Sequence, residues 1–448
     1  MFRSLFFFLG CIAIATLFIY TYANGGIPLW YDYGAYKHLI QLLSDGKSIG
    51  SLPLYVQRQF EPFSGTFFYT LSAWLWSDSL FNWWYLWIYA LSATGLFLLG
   101  KKKDVYTIGS YIAFFLFLFS VLQYVNFWWS FGKQMFATFF LVLLMRYYKK
   151  TIIGLIFLTA CIALHRLTGF IAILFILWNF LSQKSYKKWL IIMSIWLAIA
   201  TYYPTFHLQV SPYLWRGVKQ YIFLPESYGT GLQWITFWLY ELPLIILAIV
   251  VWWGRRKKLY YRAFILPACF IIFMVVFRCI AHTRLESFMD LFVIIFILKN
   301  ITQNHRKILI IFALVQLTLW FWFVSKWHTS FIGRDENSLI QKIVQTMPKD
   351  VQMVTLSSKY MSMMTWYTSR EIYSQNFGIW ANTFSKKERE SMHYDHDTLC
   401  KKLSYIPGNV VLYVWVKEAP LSTQNNVCLR EIKRWTNGAQ IFYFERHK

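Results

Sequence analysis

The sequence predicts a polytopic α-helical membrane protein of about eleven spans, ending in a small α/β domain outside the cytoplasm. Three observations lead there. The chain of 448 residues is 57% hydrophobic and 21% aromatic but only 14% charged, whereas soluble domains average about 25% charged. Its mean hydropathy is +0.41. Apolar runs near membrane-spanning length recur from Leu5 to Val324. From Ser330 onward the composition turns to that of a soluble domain. The expected organisation is a membrane module over 1–329, with a first outer loop over 23–82, and an extracytoplasmic domain over 330–448.

The net charge of +24 does not indicate nucleic acid. The basic residues fall mostly in short loops between apolar runs, which is how orientation in a bilayer is set. Zinc-finger spacing and RNA-binding aromatic signatures are absent from the sequence.

The elements follow in order. Leu5–Tyr22 comes after Arg3 and fits a signal peptide or a retained helix. Its length and the many later spans favour a retained helix that starts inside and ends outside. Pro62–Trp76 is short for a span and is broken by Ser64, Gly65 and Thr66, so it reads as interfacial or re-entrant. Phe81–Leu99 then crosses inward and leaves Lys101, Lys102 and Lys103 inside. Val105–Val125 goes out, Gln134–Tyr148 in, Ile152–Leu164 out and Leu167–Leu181 in. Leu190–Tyr203 goes out, Trp234–Trp253 in, Ala263–Ile280 out, Leu285–Leu298 in and Ile308–Val324 out. This arrangement places every basic cluster on one side. Several runs are short, which predicts bent or partial crossings. In the tail, 351–357, 409–416 and 439–445 read as strands, and Ser338–Thr346 and Lys386–Leu403 as helices.

Cys11, Cys161, Cys269 and Cys279 lie in apolar runs and read as small core residues. Cys400 and Cys428 lie in the polar tail and would pair if that tail faces an oxidising compartment. The sequence has no CxxC, which argues against a metal or redox motif.

Acids are scarce, so each can be asked for its reason. Residues 1–331 contain nine: Asp32, Asp45, Glu61, Asp78, Asp104, Glu226, Glu241, Glu286 and Asp290. Asp32 stands among Trp30, Tyr31, Tyr33 and Tyr36, which would part-desolvate it and raise its basicity. A carboxylate there can deprotonate a hydroxyl or hold a divalent ion. The same aspartate also fits the N-cap of the helix-like "DYGAYKHLIQLL", and the residues alone leave both readings open. Glu61, before Pro62, is a second candidate carboxylate or a solvated loop residue. Charges near spans are costly unless they face a cavity or a partner. "CIALHRLTGF" places His165 and Arg166 between two apolar runs. "FRCIAHTRLESFMDLF" carries Arg284, which is poorly placed to pair with Glu286 or Asp290 on its own helix. Arg284 can hold a phosphate through a bidentate guanidinium, snorkel to the interface, or pair with another helix. Walker A, GxSxG and HExxH motifs are absent.

The layout resembles the GT-C superfamily, the polyprenyl-phosphate-dependent glycosyltransferases that include protein O-mannosyltransferases, aminoarabinose transferases and oligosaccharyltransferases. "WYDYGAYKHLI" resembles the family's first-loop acidic motif and sets Asp32 in the catalytic position. "FEPFSGTFFYTLSAWL" resembles the second interfacial helix of that loop, where relatives often have Pro-Pro-Leu and this chain has Pro62 alone. "LHRLTGFIAIL" and "HTRLESFMDLFVIIFIL" are similar to the family segments that open with a basic residue. Residues 347–376 look like the start of the outer domain in bacterial members. Relatives often carry a second acid close after the first-loop aspartate. Here the next is Asp45, which counts against a two-carboxylate metal site.

The resemblance implies a polyprenyl-phosphate-linked sugar as donor and a glycan, lipid or protein as acceptor. It implies the cell (inner) membrane as location, no organic cofactor, and room for a divalent cation. Asp32, with Glu61 as the second carboxylate, would act in catalysis. Arg284, Arg166, His165 and Lys133 would bind the donor phosphate. A flippase for lipid-linked sugars would use the same cations without a base. "GKQMFATFFLVLLMRYYKK" followed by "LHRLTG" also resembles exopolysaccharide polymerases, a reading that shifts weight to Lys133 and His165.

Overall fold

The computed structural model describes residues 2–23, 40–46, 66–75, 84–102, 105–128, 132–181, 238–255, 268–269, 271–273, 282–301, 305–327, 338–342, 345, 347, 351–355, 372–374, 396–404, 408–415, 428–435 and 439–444. The chain divides into two compact units, one made mainly of residues 78–329 and the other mainly of residues 330–448.

The first unit is helical. Its labelled elements are α1 (Phe2–Ala23), the first three residues of α2 (Thr66–Trp74), α3 (Trp84–Leu99), α4 (Ile108–Leu118), α5 (Val121–Trp128), α6 (Gly132–Tyr147), α7 (Thr151–Leu164), α8 (Arg166–Leu181), α9 (Leu242–Arg255), α10 (His282–Asn300) and α11 (Arg306–Trp327). A two-residue hairpin, β1 (Lys101–Lys102) with β2 (Val105–Tyr106), joins α3 to α4. The runs at Leu190–Tyr203 and most of Ala263–Ile280 lie outside the described residues.

Among the described residues, one helix is by itself long and apolar enough to cross a bilayer, Ile308–Lys326 within α11. The pair α4 and α5 passes together but is bent by 52°. The helices α3, α6, α7, α8 and α9 have 14 to 16 residues. At 1.5 Å per residue they reach about 21–24 Å, short of a hydrocarbon core of about 30 Å.

The bend between α4 and α5 departs from the single span expected over Val105–Val125, and it has a physical cause. Ser120 caps α5: its Oγ accepts the Gln123 N–H at 3.0 Å, and its carbonyl accepts the Tyr124 N–H at 3.0 Å. The carbonyls freed at the end of α4 find side-chain donors. Tyr89 Oη of α3 donates to Phe117 O and Leu118 O at 3.2 and 3.1 Å. Gln316 Nε2 of α11 donates to Phe119 O at 2.9 Å. In an apolar interior such substitution is what permits a broken helix.

Glycines let the helices approach closely. A Cβ on Gly109 of α4 would meet the Leu298 carbonyl oxygen of α10 at 2.6 Å. At the end of α3, Arg146 donates to the Leu98 and Lys101 carbonyls. Lys299 Nζ donates to the Leu99 carbonyl at 3.2 Å, so cations finish the last turn.

The second unit contains a five-stranded sheet of β3 (Gln352–Thr355), β4 (Ile372–Ser374), β5 (Val410–Trp415), β6 (Leu429–Arg434) and β7 (Ala439–Phe444), in spatial order β4-β3-β5-β7-β6. The pairs β3–β4 and β3–β5 are parallel; β5–β7 and β6–β7 are antiparallel. Helix α12 (His396–Ser404) contributes Leu399 and Leu403 to a core with Val354, Val410, Leu412, Phe442 and Phe444. Val410 with Leu412, and Phe442 with Phe444, share one face of the sheet by the period of two, and Val411 and Ile441 on the opposite face are buried as well. A disulfide joins Cys400 of α12 to Cys428 before β6, with Cα atoms 6.0 Å apart.

The three strands read from the sequence are present. Two more, the three-residue β4 and the six-residue β6, go beyond those the sequence predicts. The sequence of β6, LREIKR, is charged because it forms an exposed edge.

Candidate functional site

The basic residues singled out in the sequence fall at helix starts. Lys133 is the second residue of α6 and is half-buried; Arg166 opens α8; Arg284 is the third residue of α10. His165 is the single residue between α7 and α8 and is buried. Its Nδ1 lies 2.9 Å from Thr168 Oγ1 and accepts the Thr168 N–H at 3.4 Å, so this nitrogen caps α8. The guanidinium groups of Arg166 and Arg284, and all of Asp32 and Glu61, lie outside the described part of the structure.

Chain topology brings these helix starts to one end of the bundle. The helices α6, α7 and α8 pack on one another in sequence, reversing through the turn at residues 148–150 and at His165. The N-terminal ends of α6 and α8 therefore share an end with the C-terminus of α7. Gln134 Nε2, beside Lys133, donates to Ser287 Oγ at 2.8 Å, which ties the start of α6 to the start of α10. Backbone N–H groups at helix starts and their dipoles favour anions.

A buried polar network continues inward from this end. Gln123 Nε2 of α5 donates to the Ser287 carbonyl at 2.6 Å and to Asp290 Oδ2 at 2.8 Å. Ser120 Oγ lies 2.9 Å from Asp290 Oδ2 and 2.9 Å from Glu241 Oε1. Glu241 Oε1 also accepts the Leu122 N–H at 3.0 Å. Nearer the end, Trp238 Nε1 donates to Glu286 Oε2 at 3.1 Å. Glu241 and Asp290 are both 0% exposed. Reading charges helix by helix missed this pair; the available signal was two acids inside apolar runs.

Among the described residues, no group of three His, Cys, Asp or Glu side chains is placed to hold a metal ion.

No protein-family model matches the chain, and no curated protein does. Its fold is similar to that of a solved structure, ArnT from Cupriavidus metallidurans in the apo state. The TM-score is 0.59 at 10% sequence identity, over 97% of each chain. At that identity the likeness establishes a shared architecture and nothing finer.

Proposed function

We propose that the chain is an integral-membrane glycosyltransferase that moves a sugar from a polyprenyl-phosphate donor to an envelope acceptor, on the outer face of the cell membrane. The observation that carries this reading is the likeness to ArnT across 97% of both chains. ArnT is an aminoarabinose transferase of the GT-C superfamily, whose layout the sequence resembles. The cations Lys133, Arg166 and Arg284 at anion-favouring helix starts support a phosphate in the same place. The Cys400–Cys428 disulfide supports an oxidising compartment for the tail.

The reaction follows from these roles. Asp32, with Glu61 as the second candidate carboxylate, takes the proton of an acceptor hydroxyl. The acceptor oxygen attacks the anomeric carbon as the bond from that carbon to the phosphate oxygen breaks. Arg284, assisted by Arg166, His165 and Lys133, stabilises the charge that develops on the departing polyprenyl phosphate. A single displacement inverts the anomeric centre, and the acceptor is a glycan, a lipid or a protein.

The test uses the full chain in nanodiscs with labelled polyprenyl-phosphate sugars and envelope fractions as acceptors. Label transfer and release of polyprenyl phosphate are expected. Asp32→Asn should lower transfer by about 10²–10⁴-fold, the usual worth of a general base, with donor binding retained. Full transfer by that variant refutes the assignment. Passage of intact donor across the bilayer without transfer would identify a flippase instead.

A further inference from the structure

Glu241 and Asp290 lie on different helical segments, 0% exposed, and both reach Ser120 Oγ at 2.9 Å. Their second oxygens, Glu241 Oε2 and Asp290 Oδ1, are buried with no hydrogen-bond partner among the described residues. Two wholly buried carboxylates with unpartnered oxygens require a compensating positive ligand. Among the described residues no Lys, Arg or His pairs with either.

Proton counting at Ser120 identifies that ligand. Oγ accepts the Gln123 N–H at 3.0 Å. It has one hydrogen to give and two carboxyl oxygens in reach. With both carboxyls ionised, one contact would set an anionic oxygen against a lone pair. The arrangement closes when one carboxyl brings a proton: that carboxyl donates to Oγ, and Oγ donates to the other. The remaining anion has support. The Leu122 N–H and Gln123 Nε2 donate to the pair at 3.0 and 2.8 Å, and the start of α5 supplies a dipole worth about half a positive charge. That suits one negative charge and disfavours a metal cation in the same place.

We infer that Glu241 and Asp290 form a proton-binding site, one proton shared between them through Ser120 at neutral pH. The site pins the break between α4 and α5 to the beginning of α9 and the middle of α10. The other ionisable side chain that feels the pair among the described residues is Tyr89 of α3, whose hydroxyl donates to Phe117 O and Leu118 O. Glu286, one turn earlier on α10, has Oε2 engaged by Trp238. The helices α1, α6 and α11 present no charged group to the pair among the described residues. The inference is independent of the transferase reading.

Infrared spectra of the full chain in nanodiscs, in heavy water at neutral pH, should show the C=O stretch of a protonated carboxyl. The band should vanish in Glu241→Gln and in Asp290→Asn, because the Ser120 hydroxyl then suffices for the one carboxylate left. Absence of the band in the native protein, or its survival in either variant, overturns the inference. If the variants do not fold, the native protein decides. The folded state then holds one more proton than the unfolded chain, so stability falls as pH rises above the ordinary carboxyl range of about 4. The unfolding constant in mixed micelles should rise tenfold per pH unit until the proton leaves. A flat profile overturns the inference. Stability that follows added sodium, magnesium or calcium at constant pH overturns it in favour of a metal.

Discussion

Removing the disulfide of the C-terminal unit gives a prediction whose size can be worked out. The bond closes 28 residues of sequence, from α12 to the start of β6. Loop-closure entropy for that length gives roughly 3.6 kcal/mol at 25 °C. The Cα separation of 6.0 Å lies in the usual range, so the backbone needs no adjustment to accept the link. Cys428 is buried in the core with Leu412 and Phe442, and alanine there leaves no polar atom behind. The double variant Cys400→Ala, Cys428→Ala should therefore raise the open population of this unit by about 400-fold. Where reclosing outpaces cleavage, proteolysis follows that population. Limited trypsin digestion of the full chain in outward-facing membranes should cut the tail faster by up to this factor, and reduction of the native protein should do the same. A cleavage rate within about twofold of the native one would refute the reasoning. So would alkylation showing both native sulfurs as free thiols, since the cytoplasm keeps such pairs reduced.

Two further perturbations address the helical unit. Gln316→Leu removes the donor to the Phe119 carbonyl and leaves a buried acceptor at the end of α4. About 1–3 kcal/mol of stability should be lost, read as a lower melting temperature of the solubilised protein. Gly109→Ala sets a methyl 2.6 Å from the Leu298 carbonyl oxygen, a backbone atom that cannot rotate away. The expected cost is about 1–3 kcal/mol from overpacking, and an unchanged melting temperature would show that α4 and α10 are not in close contact.

The helices were legible because apolar runs mark them: Leu5–Tyr22 anticipates α1, Ile152–Leu164 anticipates α7, and Ile308–Val324 anticipates α11. The break in α4–α5 was not legible. Nothing in "LFLFSVLQYV" distinguishes Ser120 from a serine facing its own helix. Its cap is held by carboxyls 121 and 170 residues away in sequence, and local pattern does not encode such partners. Asp290 is one of nine acids in residues 1–331, and its spacing from Arg284 on the same helix forbids a pair, so its own helix gives no sign of a partner. Glu241 lies at the edge of "LPLIILAIV", and its partners come from α5 and from Ser120. Strand β6 escaped because an exposed edge removes the apolar alternation by which strands are read.

The basic helix starts make a different point, because they contradict local preference. A cation in the first turn opposes the helix dipole at a cost of about 0.3–1 kcal/mol. Lys133, Arg166 and Arg284 occupy that position in α6, α8 and α10, and none of the three helices has an acid in its first turn. Arg306 and Lys307 open α11 in the same way, and Arg3 lies in the first turn of α1. In the topology expected from the sequence, those residues belong to the basic clusters of the inner side, which the positive-inside rule explains. Under the same topology Lys133, Arg166 and Arg284 lie at the opposite end, where that rule supplies no reason for them. Departures from local rules concentrate at functional sites. On the function proposed above, a multiply charged anion would resolve the conflict, since helix-start N–H groups and cationic side chains would then bind the same ligand. A phosphate carried on a lipid has that charge and reaches that depth.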